Sequence, residues 1–328
     1  TTINIKNNVD NVYGGSYAGS ANETNVNLQN GKVFGSIYGG GNQGFTDVTT
    51  VTTTGGSING TIYGAGFGST SSTNSTKVNI GSNVGDVYGG SYAGSAGTTI
   101  VNVTTSTPSS NIYGAGEGAE SRTDHATVNI NSNVNDVYGG SYAGFAGETY
   151  VNLTNGTVYG SAFGGGYQGP TTTTTVTLQG ATIIEDIFGG GNNGSTTLAN
   201  VLVNSGTING VVYGAGRGEE STTDTVHITI KSNTKDVYGG GFAGSANTST
   251  VDLINGTVDG SVYGGGYQGP TTTSYVNLIG ATINKDIYGG GNAGETKEAN
   301  VSLTSGTVKN SVYGGGFEGK TITANLTF

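Results

Sequence analysis

One column of residues in this chain has the composition of a binding surface. Tyr17, Phe67, Tyr92, Tyr142, Tyr167, Phe242, Tyr267 and Phe317 fall on it, interleaved with Asn42, Glu117, Asn192, Arg217 and Asn292. Each lies at a glycine-rich corner, and the charged members imply that the column meets solvent. Exposed rings beside amides and carboxylates suit two chemistries: stacking against a sugar ring with hydrogen bonds to its hydroxyls, or anchoring a protein partner. Gln168 directly follows Tyr167 and Gln268 follows Tyr267, so those pairs join ring to amide most closely. The competing reading is that the rings only cover glycine backbone.

Catalytic chemistry is poorly supplied by contrast. The chain has 2 His and no Cys. His125 and His227 are 102 positions apart, which gives no ligand spacing for a metal. Glu185-Asp186 and Glu219-Glu220 are adjacent pairs, and neighbours on an extended strand point to opposite faces. Neither pair therefore makes the two-carboxylate arrangement of a glycosidase. Gly-x-Gly-x-x-Gly matches occur, as at Gly39/Gly41/Gly44 and Gly264/Gly266/Gly269, but a phosphate-binding loop must open a helix. No helical periodicity follows any of them, and their recurrence marks a corner. The expectation is a protein without enzymatic activity, cofactor or metal.

The elements that position the column follow from a strict repeat. An aromatic followed by glycine recurs every 25 residues, from Tyr13 through Tyr38, Tyr63 and onward to Tyr313, with Phe163 and Phe188 the two replacements of Tyr. Such a period means one structural unit stacked on its copies. Within a unit, Val26 and Leu28 alternate with Asn25 and Asn27, the signature of a strand with one buried face. Asn30-Gly31 suits a tight turn with positive φ, Val33 starts a second short strand, Gly35 breaks it, and Ser36-Ile37-Tyr38 makes a third. Glycine numbers 64 of 328 residues, which excludes helix on propensity. The fold class expected is all-β: a parallel, three-sided β-solenoid of 13 coils of 25 residues plus a closing strand at Thr323–Phe328, as one domain over residues 1–328.

Two further patterns bear on the stack. Asp86, Asp136, Asp186, Asp236 and Asp286 stand two places before an aromatic in every second coil, a spacing that keeps carboxylates from adjoining one another. The main aromatic column never admits a polar residue, so it is read as packed ring on ring, with an outward-facing contact ladder as the rival. A second coil type, at residues 7–19, 82–94, 132–144 and 232–244, carries its middle apolar residue one place later, at Val9, Val84 and Val134, with Thr234 standing in.

The formal net charge of −10 argues against nucleic acid and anionic membrane surfaces. No apolar run is long enough to span a bilayer. Thr1 and Leu326 occupy equivalent points of the period, which leads to the expectation of a monomeric segment of a longer chain. Period, glycine corners, absent cysteine and acidity together make the sequence resemble repeat regions of bacterial surface adhesins built as parallel β-solenoids. That resemblance implies an extracellular, cell-surface location and a non-enzymatic role in adhesion, with a glycan or a host surface protein as the partner. A passive stalk or fibre module is the first alternative. An ice-binding solenoid is the second, suggested by Thr171–Thr175 and Thr271–Thr273 and weakened by the Ser, Asn, Lys and Asp that interrupt them.

Overall fold

A computed structural model describes all residues except Pro108. The chain is a parallel β-solenoid of about 13 turns with roughly 25-residue repeats, and no helix occurs among the described residues. Two compact units are present: Thr1–Tyr159 with Gly166–Thr171, and Gly160–Gly165 with Thr172–Phe328.

In the first unit, the long strands Thr2–Ile5, Ala21–Leu28, Phe45–Thr53, Ser72–Ile80, Ser95–Val103, Arg122–Ile130 and Phe145–Leu153 pair in that order, all parallel. Two-residue strands such as Ile37–Tyr38 and Ile62–Tyr63 build a second ladder. The third side is fragmentary, as in Lys32–Val33 against Ser57–Ile58. The second unit repeats this scheme, with long strands from Thr196–Ile208 to Thr321–Thr327 and the third side at Thr257–Val258, Thr282–Ile283 and Thr307–Val308. The strand expected at the end of the sequence is present as Thr321–Thr327, paired with Thr296–Leu303.

Alternation decides the inside. Val26, Val51, Val78, Val101, Val128 and Val151 lie in register and are fully buried. The long strands begin earlier than the Val/Leu alternation suggests, at Phe45 rather than near Val51, because Thr and Ser take inward places there. Thr49 and Thr99 are fully buried, and each hydroxyl donates to the carbonyl of the glycine after an aromatic: Thr49 to Gly64 at 2.5 Å, Thr99 to Gly114 at 2.6 Å. Ser249 and Ser274 do the same for Gly264 and Gly289. An interior thinly supplied with aliphatics is thus filled by hydroxyls that satisfy a corner carbonyl which would otherwise be unpaired in an apolar surround.

The turn at Asn-Gly has the expected conformation, with φ of 80° at Gly31 and Gly156 and 82° at Gly256. The glycine run after each aromatic answers a different demand. A Cβ on Gly39 would collide with the carbonyl oxygen of Gly64 in the next coil. The shifted coils also have a cause. Val51 pairs with Val78, a step of 27, and Val78 with Val101, a step of 23. Two residues enter the corner at Ser69-Thr70, where Ser71 N–H donates to the Gly68 carbonyl at 2.9 Å, and two are removed from the following bend. Glu219-Glu220 occupies the same exposed corner extension in the second unit.

Candidate functional site

The two aromatic columns form one double layer. Ile37 is fully buried in the interior, and Tyr38, its neighbour on the strand, faces away from it yet is only 7% exposed. Two contacts cover that ring. Along the stack, Tyr38 lies 4.7 Å from Tyr13 and 4.9 Å from Tyr63, nearly parallel to each. From the outside, Phe67 meets Tyr38 edge-on at 5.3 Å and 80°. The main column is therefore packed, though on the outer side of its sheet, where the second column shields it. Strand spacing sets the ring separation, and the edge-on geometry of the outer layer suits the ring quadrupoles.

The candidate residues are found throughout this outer layer. Tyr92 covers Tyr63, Tyr142 covers Tyr113, Tyr167 covers Tyr138, Phe242 covers Tyr213, Tyr267 covers Tyr238 and Phe317 covers Tyr288, all edge-on. Three stacked pairs result: Phe67/Tyr92 at 4.9 Å, Tyr142/Tyr167 at 4.9 Å and Phe242/Tyr267 at 5.2 Å. Within a pair the facing surfaces are occupied, so each ring offers an edge and one face toward the neighbouring polar residue. Tyr17 and Phe317 stand outside the pairs and are the most open, 72% and 56% exposed. Gln168 and Gln268 are exposed beside half-buried Tyr167 and Tyr267.

At two of its polar positions the outer column bonds to inner hydroxyls. Glu117 accepts from the Tyr63 hydroxyl, and the Asn292 amide donates to the Tyr238 oxygen at 3.3 Å. Burial foremost, then neighbouring rings and carboxylates, raises the inner phenols; Tyr38 is pushed up to about 12, and Tyr63, Tyr88, Tyr113, Tyr213 and Tyr238 further. These tyrosines are neutral packing groups, unsuited to proton transfer near neutrality.

The aspartates two places before the rings serve the ladder. Asp86 accepts from Asn111 N–H at 2.8 Å, Asp186 from Val211 N–H at 2.8 Å and Asp286 from Ser311 N–H at 3.0 Å, each in the next coil. Asn11 plays the same part for Ser36 N–H at 2.8 Å. In the intervening coils a hydroxyl or amide takes over, such as Ser161 for Asp186 N–H at 3.3 Å. Skipping a coil keeps the carboxylates apart, and Ser36, Asn111, Ser161 and Ser261 supply an acceptor at the steps between, whereas Val211 offers none.

Sequence reasoning missed the outward face of the long strands. Asn79, Asn102, Asn129 and Asn152 form an amide ladder with donor–acceptor distances of 2.8–2.9 Å. The recurring Val-Asn-aliphatic triplet is its signal in the sequence. Beside it Tyr150 is 41% exposed and bonds Glu148, which also pairs with His125 at 3.3 Å. Arg122 pairs with Asp124 at 3.3 Å and lies over the Phe145 ring at 4.4 Å. His125 and His227 fall in different columns, His125 opposite Glu148 and His227 opposite Thr250. Among the described residues no group of three or more His, Asp or Glu is placed to hold a metal ion.

With the geometry in hand, comparison with protein-family models, with curated proteins and with solved structures finds no match to this chain.

Proposed function

We propose that this solenoid is a non-enzymatic contact module of an extracellular bacterial surface, an adhesin-type segment that holds a glycan or a host surface protein along its aromatic corner. The observation that supports this reading is the series of stacked ring pairs, Phe67/Tyr92, Tyr142/Tyr167 and Phe242/Tyr267, broken by Glu117, Arg217 and Asn292. Each interruption leaves a ring face beside a hydrogen-bonding side chain, the combination that sugar recognition requires. Glycan-array binding by the wild-type chain should fall at least about tenfold in a variant carrying Tyr142→Leu, Tyr167→Leu and Gln168→Ala, an effect of the size expected for a small ring-centred hot spot. Thermal melting of the variant controls for lost packing on Tyr113 and Tyr138. Undiminished binding by a folded variant removes these rings from the contact surface.

A passive stalk is the second reading, and one observation favours it. Every paired ring already has structural work, covering an inner tyrosine. Absence of any bound glycan or surface protein by the wild-type chain, with binding carried by other parts of the same gene product, supports that alternative.

A further inference from the structure

The second unit carries a notch whose chemistry the aromatic corner does not explain. Lys235 and Lys285 stand on one column, three places before Tyr238 and Tyr288 and two coils apart, roughly 10 Å by strand spacing. The residue between them is Gly260, so no side chain fills the gap. Lys235, Asp236, Asp259, Gly260 and Lys285 line a depression of about 210 Å³. Gly260 forms its buried floor, while Lys235, Asp259 and Lys285 are exposed at its rim. A Cβ at this floor position would displace the Asp236 carboxylate.

The charges of the notch are unevenly committed. Asp236 accepts from Ser261 N–H at 2.6 Å, and Asp259 accepts from the Asn284 amide at 2.9 Å. Lys235 donates to the Asn209 carbonyl and keeps further donors. Among the described residues neither lysine lies within ion-pair distance of a carboxylate. In a chain with 11 basic residues and a net charge of −10, two ammonium groups without carboxylate partners at one glycine are a concentrated feature. A simple inorganic anion is a poor occupant, since Asp236 and Asp259 would repel it. A molecule bearing one carboxylate and several hydroxyls satisfies both signs: its carboxylate meets the lysines and its hydroxyls donate to the free aspartate oxygens.

We infer that this notch binds a uronic-acid residue of an acidic polysaccharide. A second depression, about 320 Å³, adjoins it along Asn209, Asn233, Lys235 and Asp259. Lys235 and Asp259 line both, so consecutive sugars of one chain can occupy them. The site lies apart from the ring pairs and extends the glycan-binding role without depending on them.

The test uses short oligogalacturonates and their methyl esters, with binding followed by calorimetry and by ligand-observed NMR at low and moderate salt. The wild-type chain binds the free acid, and binding weakens as salt rises. Lys235→Gln with Lys285→Gln, both at exposed positions, weakens it about tenfold or more with the melting temperature unchanged. The methyl ester binds as weakly to wild type as the acid does to the double variant. The ring variant Tyr142→Leu, Tyr167→Leu, Gln168→Ala keeps acid binding intact, which separates failure at the aromatic corner from failure here. No binding of the acid by wild type, equal binding of acid and ester, or equal binding by the lysine variant would each overturn the assignment.

Discussion

Asp186 shows how a single side chain is caught between two demands. It must accept the Val211 N–H, and it must do so from a bend that water reaches poorly. Burial raises its carboxyl above the usual range, outweighing the hydrogen bond from Val211 that lowers it. The folded state therefore holds the proton more tightly than the unfolded chain. The contribution of Asp186 to stability is greatest below the unfolded value near 3.9 and declines as pH rises through the folded one. Asp186→Asn keeps an acceptor oxygen, as Asn11 does for Ser36, and removes the buried charge. Denaturation of this variant should show higher stability than wild type at pH 7 and equal stability at pH 3. A variant less stable at pH 7 would mean that the negative charge itself is needed at this bend. The buried hydroxyl of Thr49 is a companion case at this scale: its bond to the Gly64 carbonyl is an interior necessity that a surface reading of threonine overlooks.

At the scale of the element, the two-residue strands matter through what they stack. Six rings from Tyr13 to Tyr138 in the first unit lie at centroid separations of 4.5–5.4 Å, each nearly parallel to the next. Contacts of this kind add about 0.5–1.5 kcal/mol each beyond area burial. Because the phenols are raised above the free tyrosine value near 10, the stability linked to their protonation is complete below that pH and is lost as pH rises beyond it toward the folded values. An alkaline titration should give tyrosinate absorbance that lags the free amino acid, then rises cooperatively together with loss of the β circular-dichroism signal. Gradual ionisation with the β signal intact would show the inner rings to be open to solvent. The outer layer of Phe67, Tyr92, Tyr142 and Tyr167 packs on the same ladder, so the contact role proposed for these rings would use side chains already engaged in packing. Any ligand that uses them must approach an edge or an interrupted face.

For the molecule as a whole, repetition replaces the single core of a globular domain. Each coil buries its aliphatics only against neighbouring coils, so protection should follow position along the stack. Val276 and Leu278 are almost fully buried, whereas Ile322, Leu326 and Phe328 are 59%, 38% and 82% exposed. Hydrogen exchange should accordingly be slow for Thr271–Leu278 and fast for Thr321–Thr327 in this chain. Uniform protection across both strands would point to all-or-none unfolding in place of coil-by-coil opening. The acidity of the molecule also acts at this scale: against a net charge of −10, the two lysines and two aspartates of the Gly260 notch make a locally balanced patch that only an arrangement of neighbouring coils can create.

Much of this was legible in the linear order of residues, for one reason. A solenoid converts sequence period directly into spatial neighbourhood, so the 25-residue aromatic register, the Asn-Gly turns and the glycine corners translate into columns without any long-range pairing problem. The candidate rings could be named, too, because their column mixes aromatics with amides and charged residues. Direction was not legible. Two adjacent apolar residues, such as Ile37 and Tyr38, must face opposite sides of a strand, and it takes the stacked rings of Tyr13 and Tyr63 together with the covering ring of Phe67 to make both of them buried. The compensated steps of 27 and 23 were hidden for a related reason, since insertions that cancel leave the period of the rings untouched. Sequence fixes which residues stack, because stacking follows from repetition. Tertiary structure decides which face they cover, which hydroxyls turn inward and which lysines share a notch, because those depend on how the corners of neighbouring coils fit together.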